Sequence, residues 1–287
     1  MRYITKRFRV FPVFILIGLL LTSSQSLAGD QVIWYHADFP PYVISNGPYK
    51  GLGIEEKIYR YIEQRLPEYT FTHRHANYDR AQVELKKGQH VLVSPLLKTK
   101  KRESFIHYSS HPNFLLLPNA LLVNRSGKDR FIPFLNSEGS LDIDALCASG
   151  DFKIGIAAGR VYKGILDTLI HKYKTSGVFH ERKGMKQSGL LAMLHKGRID
   201  AAFGYPVEIK YAGYADSMIS LRVSGAPTCL ASYLGAPKNR WGRDLMKKIN
   251  TIIADQSSLK TYIKYYEYWL DEGDRRHYQK IKNGHCN

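Results

Sequence analysis

Apolar positions along this chain switch between a period near two and a period near four, and the switching predicts strands and helices in alternation. Residues 31–37 (QVIWYHA) are short and β-rich and read as a first strand. Pro40-Pro41 ends it, because proline removes a ladder donor and restricts its neighbour. Gly47-Pro48 marks a turn. Over 54–66, Ile54, Ile58, Tyr61, Ile62 and Leu66 share one helical face, with Glu55 and Glu56 in the first turn and Pro67 at the stop. Alternation over 69–75 places Phe71, His73 and His75 on one side of a second strand. A short helix over 79–87, closed by Gly88, and a strand over 91–94 complete a β-α-β-α-β run. Such a run implies a mainly parallel sheet flanked by helices.

A strand over 120–124 and a polar stretch at 126–129 precede a second series: strand 153–157, helix 161–173, helix 187–195 and strand 199–203. A strand at 228–235 follows, and two amphipathic helices, 241–254 and 259–270, end the chain. This order predicts two lobes, 29–123 with 226–287 and 124–225 between them. The chain crosses near 120–124 and near 225–232, and a double crossing makes a hinge.

The first 28 residues carry Arg2, Lys6, Arg7 and Arg9, an apolar run over 11–21, and Ser26-Leu27-Ala28. They predict a secretory signal cleaved after Ala28, and a periplasmic location. The run is short of the roughly 20 residues that span a bilayer. Removing the leader's four cations takes the formal charge from +17 to +13. The cations are scattered, and nucleic acid is not expected as a partner of an exported chain. Of Cys147, Cys229 and Cys286, two can pair in an oxidising compartment, and sequence does not choose the pair. No metal or cofactor is expected: zinc spacing and a phosphate loop are both missing, and His73 with His75 lacks a placed third ligand.

Four segments stand in a fixed order: DFPPY (38–42), GLGIEE (51–56), KTKKRESFIHYSSHP (98–112) and KGRIDAAFGY (196–205). Together they make the chain resemble the family 3 periplasmic solute-binding proteins, which include the amino-acid-binding components of ABC transporters. The resemblance implies an α/β chain of the two-lobed type II periplasmic-binding-protein fold. It further implies a monomer that closes on a small molecule, with a membrane permease or a signalling receptor as partner.

In open α/β sheets ligands sit at the carboxyl ends of strands. Asp38, Phe39 and Tyr42, just past the first strand, are expected to line the cleft. By resemblance, Arg102 clamps a ligand carboxylate, a task for a planar guanidinium, with Ser94 and Thr99 beside it. Gly159, Arg160 and Val161 match the strand-to-helix turn that receives the carboxylate from the second lobe, where free N–H groups favour anions. Asp200 is expected to be structural. Amino-acid binders usually carry, just beyond the GRID-like stretch, an acid that holds the ligand ammonium; Tyr205 stands there instead, so any ammonium must find Asp38, Glu208 or the Tyr205 ring. The expected ligand is a small anionic or amino-acid-like solute.

Two other readings compete. Periplasmic dehydratases of cyclohexadienyl substrates share the architecture, but His36, Glu55, Glu208, His107 and His111 form no recognisable catalytic constellation, and no enzyme is expected. An envelope-interaction protein with a vestigial cleft would use the basic surface instead.

Overall fold

The computed structural model describes residues 30–183 and 187–281. The predicted leader and Cys286 lie outside them. The first strand, β1 (Asp30–His36), pairs in parallel with β2 (Tyr69–His75) and β3 (Val91–Leu96). Between them run α1 (Ile54–Glu63) and α2 (Tyr78–Lys86). The short α3 (Lys100–Glu103) follows, then β4 (Ile106–Tyr108), β5 (Phe114–Leu116) and β6 (Ala120–Asn124). A 3-10 stretch at Arg125–Phe134 leads to α4 (Ile143–Ser149), β7 (Ile154–Ala157), α5 (Ile165–Lys172) and β8 (Phe179–Arg182). Next come α6 (Gln187–His195), β9 (Ala201–Gly204), α7 (Val207–Tyr211), β10 (Met218–Leu221) and β11 (Leu230–Pro237). Helices α8 (Arg240–Ala254), α9 (Gln256–Glu267) and α10 (Glu272–Ile281) close the described chain.

The strands form two sheets, ordered β2-β1-β3-β11-β4 with β5 on β11, and β10-β6-β9-β7-β8. Both are mixed rather than mainly parallel. In the first, β11 returns antiparallel against β3, β4 and β5; in the second, β6 runs antiparallel to β9 and β10. Each antiparallel pairing involves β6 or β11, the strands that follow the two passages between sheets. Because β6 belongs to the second sheet, the first crossing lies at 117–119, ahead of the expected break after 123.

The first lobe's core stacks Trp34, Ile54, Ile58 and Ile62 against Tyr262, Tyr266 and Tyr278 from the terminal helices. Tyr278 belongs to α10, a third terminal helix beyond the two expected; its polar sequence hides a short apolar stripe. The second lobe buries Leu121, Phe131, Ile154 and Phe203 on one face of its sheet and Leu122, Leu190 and Leu194 on the other. Among the described residues no helix is long and apolar enough to cross a membrane.

One helix starts later than its periodicity predicts. The segment from 161 was expected to be helical, but α5 begins at Ile165. Lys163 and Gly164 have φ of 72° and 59°, in the left-handed region that interrupts an α-helix.

Candidate functional site

The first two motifs fold as one unit. The amides of Ile54 and Glu55 donate to the carbonyls of Pro41 and Tyr42. Glu56 Oε2 accepts from Gly53 N at 2.9 Å and from Ile44 N at 3.0 Å, which caps α1 and pins the loop after β1. Gly53 has no room for a side chain: a Cβ there would lie 2.5 Å from the Tyr42 carbonyl oxygen.

This unit sets where the expected site residues point. Asp38 is exposed, and its Oδ1 accepts from Ser45 N at 3.2 Å. Phe39 is half-buried and stacks on Tyr42 with ring centroids 5.2 Å apart. Tyr42 itself is drawn into the core and is only 1% exposed, so it supports Phe39 from beneath. Ser94 is likewise turned inward. It sits on the central strand β3, is fully buried, and donates to Glu55 Oε2 at 2.6 Å while accepting from Asn113 Nδ2 at 3.0 Å. Burial pushes the Glu55 carboxyl up to about 8, against the opposing pull of the Ser94 and Asn113 bonds.

Thr99 caps α3, its Oγ1 accepting from Arg102 N at 3.3 Å. The Arg102 guanidinium reaches Gln82 Oε1 at 3.4 Å and the Leu97 carbonyl at 3.3 Å. These are long contacts to neutral acceptors, and no carboxylate pairs with Arg102 among the described residues. Lys163, from the other lobe, is held below the usual lysine range by burial and then by the charge of Arg102. Asp167 offsets part of that effect on Lys163.

The second lobe brings the carboxyl ends of β7 and β9 to one edge, because the two strands are adjacent and parallel. Gly159 turns the chain there with φ of 73°. Val161 is two-thirds exposed, and the amides of Tyr162 and Lys163 are taken by Asp167 at 2.9 Å each. With α5 starting only at Ile165, the expected cradle of helix-terminal N–H groups at 159–161 does not form.

Arg160 also behaves differently from the expectation. Its Nη1 donates to Glu208 Oε1 at 2.9 Å and to Gln187 Oε1 at 2.8 Å. Its Nη2 donates to Glu208 Oε2 at 3.1 Å and to Asn119 Oδ1 at 3.1 Å. Burial opposes the charge, but Glu208 more than restores it and raises Arg160 above the usual guanidinium value. The guanidinium lies 5.2 Å from the ring centres of Tyr162 and Tyr205, and 5.6 Å from that of Phe39. Tyr205 is half-buried, edge-on to Phe39 at 6.0 Å. Arg160 is therefore committed to Glu208 and adds little attraction for an anion. Glu208 was expected only as an alternative partner for a ligand; Asn119 and Gln187 carry no motif that sequence reading could single out. Asp200 is structural as expected: it accepts from Lys153 N at 2.8 Å and pairs with Arg130.

A cavity of about 350 Å³ opens beside the Arg160–Glu208 pair. Asp38, Phe39 and Asn46 line it from the first lobe, and Gly159, Arg160 and Ser188 from the second. Asp38, Phe39, Gly159 and Arg160 thus meet, with Tyr205 adjoining. Ser94, Thr99, Arg102 and Val161 do not line this cavity.

The sequence matches no family profile and no curated protein. Solved structures do match in fold. An ancestral cationic amino acid solute binding protein superposes with a TM-score of 0.62 at 16% identity, over 85% of this chain and 96% of its own. A probable amino-acid ABC transporter extracellular-binding protein from Bacillus subtilis gives 0.59 at 17%, over 85% and 99%. An ancestral arginine-binding protein bound to arginine gives 0.56 at 20%, over 85% and 99%. With two mixed sheets flanked by helices, the chain has the two-lobed type II periplasmic-binding-protein fold, the fold of the amino-acid ABC transporter substrate-binding proteins that it resembles.

Proposed function

We propose that this protein is a binding protein, not an enzyme, and that it captures a small carboxylate-bearing solute between its lobes. The observation that carries this reading is the cavity of about 350 Å³ lined by both lobes; Arg102, whose guanidinium meets only neutral acceptors, is the group we assign to the carboxylate. On this reading a carboxylate held by Arg102 adds attraction to the second lobe, where Lys163 feels the Arg102 charge and Asp167 offsets part of it. Only a closed arrangement makes contacts to both lobes, so a ligand that makes them shifts the population toward closure. Arg102 supplies a planar guanidinium that matches a carboxylate.

The amino-acid-binding proteins that share the fold support a binding role. On this reading the chain works in the periplasm as a monomer, after cleavage behind Ala28, and passes its closed form to a membrane permease or a receptor. The proposed lobes are those expected from the sequence, except that the first boundary lies at 117–119, so that β6 (Ala120–Asn124) belongs to the second lobe.

The test is a thermal-shift screen of the mature protein against mono- and dicarboxylates, amino acids, nucleobases and polyamines. A ligand at 100 times its Kd adds roughly 2.7 kcal/mol of stability. A carboxylate that raises Tm, remains chemically unchanged and loses its effect in Arg102→Ala supports the reading. Turnover of the ligand, or stabilisation by polyamines alone, refutes it.

A further inference from the structure

We propose that the Arg160 side chain is a built-in guest: it fills a cation seat made by Glu208, Gln187, Asn119 and the rings of Phe39, Tyr162 and Tyr205. The cleft therefore does not admit a free guanidinium or ammonium at that place.

The polar groups of the seat are each anchored by a second bond besides the one to Arg160. Gln187 Nε2 donates to the Phe203 carbonyl at 2.9 Å, which turns Oε1 toward Arg160. Asn119 Nδ2 donates to the Tyr162 carbonyl at 3.0 Å and presents its Oδ1 in the same way. Glu208 Oε2 accepts from Tyr205 N at 2.7 Å, so the carboxylate is anchored by its own chain. Gly204 leaves space for this approach, since a Cβ there would lie 2.8 Å from Glu208 Oε2. Four N–H···O bonds then converge on one guanidinium that is 13% exposed, over a carboxylate that is 3% exposed. A buried carboxylate, two fixed amide oxygens and three aromatic rings are the chemistry of a receptor for an organic cation. An ordinary surface ion pair needs none of it.

The seat also spans the fold: Phe39 comes from the loop after β1, Asn119 from the crossing, and the remaining groups from the second lobe. The tethered side chain makes contacts to both lobes that a free cation would otherwise have to supply. The consequence for ligand choice rests on the binding reading above. The solute lacks a cationic group where Arg160 sits and is held through its carboxylate at Arg102.

The test is chemical rescue of Arg160→Ala with methylguanidinium, read by thermal shift at concentrations too low to denature. Removing the side chain strands the Glu208 carboxylate and lowers Tm. Methylguanidinium should raise the Tm of Arg160→Ala, leave wild type unmoved, and have no effect on Arg160→Ala/Glu208→Gln. Rescue that is absent, or equal in wild type, overturns the proposal. If Arg160→Ala does not fold, ¹⁵N NMR of the wild type decides. Arg160 guanidinium protons should exchange slowly with water, and lose that protection in Glu208→Gln; exchange as fast as that of surface arginines overturns the proposal. No arm uses a carboxylate ligand, so failure here is distinct from failure of the anion-binding reading.

Discussion

Glu55 and Ser94 share a 2.6 Å hydrogen bond inside the first lobe, where neither side chain is exposed. The Glu55 carboxyl is held up at about 8 by burial. Between its ordinary value of 4.5 and about 8, the unfolded chain releases this proton while the folded chain keeps it. The folded state then binds more protons, so this group makes stability fall as pH rises through that window. Glu55→Gln keeps an acceptor for Ser94 and removes the titration. It should gain stability over wild type between pH 5 and pH 8, on the order of a few kcal/mol. Chemical denaturation of both proteins at the two pH values checks this; an unchanged difference refutes it.

His36 titrates with the opposite consequence. It is buried at the end of β1, against Tyr59, His73 and His75. Burial, then His75 and His73, push it down to about 4. Its contribution is complete above 6.5 and is lost as pH falls from 6.5 toward 4, because the unfolded chain protonates first. An NMR titration should place the His36 ring midpoint well below those of exposed histidines. A midpoint near 6.5 would contradict the buried geometry.

Arg102→Ala should weaken binding of the solute about tenfold to a hundredfold, the range of a charged hydrogen-bonded contact. Arg102→Lys should restore only part of it, because an ammonium cannot form the two-pronged contact. Calorimetry with the first ligand found by thermal shift measures both. Wild-type affinity in Arg102→Ala would remove this residue from the site.

Gly53→Ala should destabilise the protein by about 1–3 kcal/mol, the usual cost of forcing a group into packed space. The added Cβ meets the Tyr42 carbonyl oxygen at 2.5 Å, and backbone cannot step aside as a flexible side chain can. The same change loosens the loop that carries Phe39. A Tm equal to wild type would show that the two motifs do not interlock.

Cys147 is a buried free thiol, and burial pushes it up to about 12; Cys229 is disulfide-bonded. Native protein should therefore leave Cys147 unmodified by iodoacetamide at neutral pH, where its thiolate is scarce. Mass spectrometry after alkylation checks this, and rapid native labelling at Cys147 would refute it.

The sequence by itself determined what neighbours along the chain decide. Strands at 69–75 and 120–124, the helix at 187–195 and the face of α1 follow from local periodicity, and so do the paired motifs around Tyr42 and Gly53. Arg102 could be put forward as a ligand contact because its motif is contiguous. What only the tertiary structure decided is what Arg160 does. Its partner Glu208 lies 48 residues away, and Asn119 lies 41 residues away. They meet because β7 and β9 are adjacent and parallel, and the crossing strand β6 runs beside β9. Periodicity encodes which face of an element is buried; it does not encode which two strand ends will share an edge. That depends on sheet order, and sheet order is settled by packing across the whole lobe.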